Sequence, residues 1–250
     1  MIAGQSIADT GADLARGRSS APLIDVSWPD VPQDVVLLVP LGSTEQHGPH
    51  LPLDVDTAIA AAVCDGVARL IGPPAHVAPA IAYGASGEHQ RFAGTISVGT
   101  ESLARTLVEF CRSARQWAGR IVFVNGHGGN LDALTAAMAT LASEDTAVSW
   151  LPCRHGDVHA GRPETSIMLH LAPQRVQMDA AEPGSKEPFA DVLPRLRDAG
   201  VHVVSANGVL GDPRGASAAE GAALLDRMIR EVAESITESM VEPRTEPHPS

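Results

Sequence analysis

Hydrophobic and polar positions along this chain follow two rhythms: short continuous apolar runs rich in β-branched residues, and longer amphipathic stretches between them. Val35-Val36-Leu37-Leu38-Val39-Pro40-Leu41 is such a run, ends at Gly42, and reads as a strand buried on both faces. Asp56 to Leu70 then reads as a helix, Val77 to Ile81 as a short strand, and Ser102 to Trp117 as a helix whose Leu103, Leu107, Phe110 and Ala114 share one side, with Ser102 as its cap. A strand over Arg120 to Val124, a helix over Leu131 to Leu141 and a strand over Ala147 to Leu151 continue the alternation. Strands and helices of these lengths, taken in turn, suit βαβ crossovers and predict an α/β domain with a parallel sheet between helical layers.

The later chain is less regular. Thr165 to Leu171 has a helical pattern, Pro183 to Pro194 predicts irregular structure, Val201 to Val204 a late strand, and Ala216 or Ser217 to about Glu238 a long final helix. Residues 1–22 and 241–250 are expected to be flexible segments around one domain spanning 23–240.

The polar residues matter because of where they fall. The segment Gly42-Ser43-Thr44-Glu45-Gln46-His47-Gly48, with Asp56 nine residues after His47, begins where the first strand ends. In open α/β sheets that edge is the usual place for a site. Glu45 and His47 are two apart, so on extended backbone their side chains leave the same face. Asn125-Gly126-His127-Gly128-Gly129-Asn130 stands at the corresponding position after the next long strand. It has neither the lysine of a GxxxxGK[ST] loop nor the order of a GxGxxG loop, so phosphate binding ranks below metal ligation. His159 and Glu164 follow the strand near Leu151, and Tyr83-Gly84-Ala85-Ser86-Gly87-Glu88-His89 follows the one near Ile81, where Ser86, Glu88 and His89 are expected to line a substrate pocket.

Glu45, His47, Asp56, His127 and Glu164 together offer carboxylates and imidazoles suited to two divalent cations sharing a bridging carboxylate. The chemistry implied is hydrolysis of an amide-like bond by a metal-activated water, with His159 moving the proton at neutral pH. Iron, zinc and manganese all accept such ligands.

Composition narrows the partners. A net charge of −12 without a Lys/Arg run argues against nucleic acid. With no signal peptide and no stretch long enough to span a bilayer, the expectation is a cytoplasmic protein away from membranes. Cys64, Cys111 and Cys153 lack CxxC spacing and are expected to be reduced core thiols.

These motifs, with His159-Ala160-Gly161 and Glu164-Thr165-Ser166, resemble the creatininase family of metal-dependent amidohydrolases over about residues 35–235. The resemblance implies a three-layer α/β/α sandwich with a mainly parallel sheet, assembled into a closed ring-like homo-oligomer such as a hexamer. It also implies two divalent metal ions per subunit, iron or zinc or both, with manganese as a further option. Asp56 would bridge them, Glu45 and His127 would complete one protein shell, and His47 the other with a further carboxylate. Gly129 has no side chain, and Glu164 is assigned that last role. Within the family, Ala80 to Ser97 and Gly208 to Pro213 look most like peptidases that release a C-terminal Val-Tyr-derived unit from a modified precursor peptide. The alternatives are an amidohydrolase acting on a small cyclic amide or formamide, and a non-catalytic binding protein stabilised by metal.

Overall fold

The computed structural model describes residues 22–73, 75–144, 146–156 and 158–241. The two expected flexible segments fall, but for Pro22 and Val241, outside the described residues. The chain order is β1 (Val35–Leu41), α1 (Val55–Ile71), β2 (Ala75–Val77), α2 (Thr100–Ala114), β3 (Ala118–Asn125), α3 (Leu131–Ala142), β4 (Val148–Pro152), α4 (Arg162–Leu171), α5 (Phe189–Ala199) and α6 (Ala218–Val241), with short 3-10 turns between. The strands form one parallel sheet in the order β2-β1-β3-β4.

All seven residues of β1 are buried, because alternate side chains enter different layers. Val36 and Leu38 pack with α1, α4 and α6, whereas Val35, Leu37, Val39 and Leu41 pack with α2 and α3. This is the α/β/α sandwich that an uninterrupted apolar strand demands. The connection after β1 leads to β2 on one side, and the connection after β2 crosses to β3 on the other. The strand order therefore reverses between β1 and β3, the place where a crevice opens at the strands' carboxyl ends.

Several expectations are corrected. The strand near Val77 to Ile81 pairs over Ala75–Val77; Pro79 lacks an N–H for the ladder, and the chain rejoins β1 only as a bridge between Leu41 and Ile81. Helix α2 starts at Thr100 after Gly99 (φ 80°), so Ser102 lies inside its first turn and is no cap. Phe189–Ala199 is helical despite Pro194, since Val192 and Leu196 bury one stripe. Val201–Val203 is a 3-10 turn after Gly200 (φ 90°) instead of a strand. Cys64, Cys111 and Cys153 are buried free thiols, and burial pushes Cys111 and Cys153 up to about 12. Among the described residues, no helix is long and apolar enough to cross a membrane.

Candidate metal centre

The ends of β1 and β3 are tied together before any ligand is placed. Asn130 is fully buried; its side-chain nitrogen donates to Gly42 O (3.0 Å) and Asn125 Oδ1 (3.1 Å), while its oxygen accepts from Ala85 N–H (2.9 Å). One amide thus joins both strand ends to the 80s loop. Thr57 Oγ1 donates to Ser43 O (2.9 Å), holding the start of α1 against the end of β1. Asp56 sits in the first turn of α1 after Asp54 at the N-cap, and its side chain enters the crevice instead of capping the helix.

Glu45, His47, Asp56, His127 and Glu164 meet there, each at most 5% exposed. His47 Nε2 lies 3.2 Å from Asp56 Oδ1 and 3.8 Å from Glu164 Oε2. His127 Nε2 lies 3.2 Å from Glu45 Oε2, and its Nδ1 lies 3.2 Å from Asp56 Oδ2. Asp56 therefore presents one oxygen to each imidazole, and Ser43 Oγ donates to the second of them (2.7 Å). His47 Nδ1 faces Glu45 O at 3.2 Å, which leaves Nε2 pointed at the carboxylates. Glu164 accepts the Ala160 N–H (2.6 Å); Ala160 holds φ 55°, a left-handed conformation that costs about 1–3 kcal/mol away from glycine.

Without cations, protons gather in the cluster. Burial disfavours the charge on His47, yet Asp56, Glu164 and Glu45 outweigh it and raise this imidazole to about 10. His127 rises to about 10 against burial through Glu45, Asp56 and Glu88. Burial would raise Asp56, but His47 and His127 hold it well below the carboxylate range. Burial lifts Glu45 to about 7, partly offset by His127, and lifts Glu164 as well. Packing three carboxylates into one desolvated volume is costly unless positive charge joins them.

Both Glu45 oxygens are buried without a hydrogen-bond partner. A carboxylate so arranged fits a cation better than it fits the protein alone. Three overlapping groups bring ligand atoms together: Glu45, Asp56 and His127; His47, His159 and Glu164; and Glu45, His89 and His159. The first holds the three residues expected around one ion; the second holds His47 and Glu164, expected around the other, but has His159 in the place expected of Asp56.

All the expected site residues reach this crevice, though not in one layer. His159 stacks between His47 (centroids 4.3 Å apart) and His89 (4.4 Å), and its Nδ1 lies 3.7 Å from Glu45 Oε1. Burial holds His89 neutral, down to about 3, and lowers His159 too. Ser86 is fully buried with Oγ 3.3 Å from His127 Nε2, so it and His89 form the wall behind the ligands. Glu88 keeps a side chain 28% exposed, with Oε1 3.6 Å from His127 Nε2. A Cβ on Gly129 would lie 2.6 Å from that oxygen and overlap the His127 ring, so Glu88 fills the space left by the absent side chain.

Four residues that sequence reasoning passed over also belong here. His155 Nε2 lies 3.5 Å from Glu164 Oε1; Ser43 and Gln46 support Asp56 and the imidazoles; and His50 Nε2 lies 2.9 Å from Thr165 Oγ1, beside Glu164 in the first turn of α4. His155 follows the end of β4, the one positional signal available for it.

The creatininase family model, described as creatinine amidohydrolase, matches residues 25–236. The chain belongs to the creatininase family. A Mycolicibacterium smegmatis protein named "Mycofactocin precursor peptide peptidase" is 52% identical over 207 residues, covering 80% of this chain and 84% of that protein. A solved structure described as "Creatininase Mn" superposes with a TM-score of 0.75 at 28% identity, covering 90% of this chain and all of that one. A mutant creatininase of "Zn-Zn type" superposes over the same shares at 0.74 and 27%. This family thus has manganese and zinc forms among its solved structures.

Proposed function

We propose that this creatininase-family protein is a metal-dependent peptidase that releases a C-terminal, Val-Tyr-derived unit from a modified precursor peptide. The observation that carries the hydrolase part is the unpartnered, buried Glu45 carboxylate facing His127 and Asp56. The peptide part is supported by 52% identity to a named precursor peptide peptidase, against 28% to a creatininase.

Glu45, Asp56 and His127 would hold one divalent ion, and His47, Asp56 and Glu164 the second; manganese and zinc fit the same donors as iron. Bound there, the ions supply a water acidic enough to attack at neutral pH and a Lewis acid for the carbonyl. The protein's own groups do the rest. Burial keeps His159 neutral, so its Nδ1 can take a proton from the nucleophile and return it to the leaving amine as the C–N bond breaks. Glu88, partly exposed over Gly129, stands where substrate enters. Exposed Leu53, Tyr83, Ile96, Leu131 and Val158 flank the site-bearing loops and offer apolar surface to a peptide ending in Val and Tyr.

The test is to offer the purified protein a modified precursor peptide, creatinine and a formamide in parallel. The reading expects C-terminal release from the peptide and no turnover of the small amides; the opposite preference overturns it.

A further inference from the structure

Gln46 sits between two ligand residues but has no charge and faces away from the cluster. It is 5% exposed, and its carboxamide lies so close over Gly208 (φ 80°) that a Cβ there would overlap it. The amide orientation is set by its oxygen, which accepts the Gly48 N–H at 2.9 Å. Its nitrogen then faces three groups: His89 Nδ1 at 2.9 Å, His159 Nε2 at 2.9 Å and Gly208 O at 3.1 Å. Only two hydrogens are available on that nitrogen.

The backbone carbonyl of Gln46 resolves the count. It lies 2.8 Å from His159 Nε2, and a carbonyl can only accept, so this ring nitrogen carries the hydrogen. The two amide hydrogens are left for His89 Nδ1 and Gly208 O. His89 Nδ1 must then be the bare nitrogen, and its hydrogen sits on Nε2, which faces Glu45 Oε1 at 3.4 Å. Every donor and acceptor in the group is matched in this arrangement alone. With His159 Nε2 bare, two hydrogens would serve three acceptors and two lone pairs would meet at 2.8 Å.

We propose that Gln46 is a positioning residue that fixes the tautomers of two imidazoles at once, its carbonyl placing the His159 hydrogen on Nε2 and its carboxamide placing the His89 hydrogen on Nε2. His159 therefore turns a bare Nδ1 toward the site, where it can accept a proton. His89 turns a protonated Nε2 toward Glu45, 3.4 Å away and without a hydrogen bond, and is not a ligand, so the group Glu45, His89 and His159 does not hold an ion.

The experiment is nitrogen-15 NMR of histidine-labelled, zinc-loaded protein, with His89 and His159 signals assigned through single His→Gln variants. The expected wild-type result is protonated Nε2 and bare Nδ1 on both rings. In Gln46→Glu the amide donor becomes an acceptor, so His89 should gain a hydrogen on Nδ1 while His159, held by backbone, stays as it was. In Gln46→Met, His89 should lose its single tautomer. A wild-type His89 protonated on Nδ1, or a His89 pattern unchanged in both variants, overturns the proposal; the wild-type spectrum decides even where a variant fails to fold. The kinetic consequence rests on the peptidase reading: kcat of Gln46→Glu should fall about 10- to 100-fold with KM little changed. Expected tautomers without peptide cleavage would sink that reading and leave the tautomer assignment standing.

Discussion

The two ends of the sheet differ in kind. At the amino ends of β1 and β2, a groove of about 580 Å³ opens between the last turns of α1 and α6, lined by Val36, Leu70, Ile71, Ala75, Ala233 and Met240. At the carboxyl ends, three carboxylates and a stack of imidazoles are packed nearly out of contact with water. The first region has room and little chemistry; the second has chemistry and little room. Apolar space forms wherever helix ends splay from a sheet. Buried like charge is costly and persists only where something compensates it, so the second feature is the better guide to function.

Removing the proposed shared ligand puts the heaviest strain on that contrast. Asp56→Asn should abolish binding of both ions and lower peptide cleavage about 10³-fold, equivalent to about 4 kcal/mol, as read by metal analysis and steady-state rates. Retention of two ions would break the bridging assignment. Glu164→Gln should lower affinity for a single ion by at least about 100-fold, measured by competition with a chelating dye. Unchanged occupancy and rate would return Glu164 to an ordinary first-turn acid.

Acidity sharpens the comparison further. His47 and His127 hold their protons to about pH 10 in the metal-free protein, so binding the ions must displace both. Apparent affinity should therefore rise by up to about tenfold per pH unit for each ion, about 100-fold for the pair, between pH 7 and 9, with proton release visible by calorimetry in buffers of different ionisation heat. In the same metal-free protein, these raised imidazoles add stability that is full below their ordinary 6.5 and is lost as pH rises through 10. Glu45, raised from 4.5 to about 7, makes folding progressively less favourable across that interval. Glu45→Gln should remove this penalty, so that the metal-free variant loses less stability than the wild type between about pH 5 and 7 in urea melts, while losing metal. An unchanged pH dependence across that interval would contradict the picture of Glu45 as a carboxylate that burial makes costly to ionise.

The smallest effect belongs to the apolar groove. Met240→Gln, at a half-exposed position on its rim, should change stability by less than about 0.5 kcal/mol and leave metal content and cleavage unchanged. A lost activity there would mean that the groove serves the reaction.

Part of the carboxyl-end cluster was legible because three of its proposed ligands follow apolar runs that end abruptly: Glu45 and His47 after Leu41, His127 after Val124. Direct strand-end position and titratable chemistry coincide in those residues. Gln46 was not legible, because a neutral amide between two ligands carries no chemical signal and its role depends on Gly208 and His159, distant in sequence. The region from Pro183 to Val204 misled for different reasons. Pro194 disguised a helix whose Val192 and Leu196 supply the buried stripe, and the β-branched residues from Val201 to Val204 imitate a strand where Gly200 turns the chain into a 3-10 turn.

The central claim is that the buried carboxylates and imidazoles exist to hold two catalytic ions. It is tested most directly by stripping the protein with a chelator and titrating manganese or zinc back while following C-terminal release from the precursor peptide. The account predicts no cleavage by the stripped protein and recovery that levels off at two ions per chain. Full cleavage by the stripped protein would contradict it.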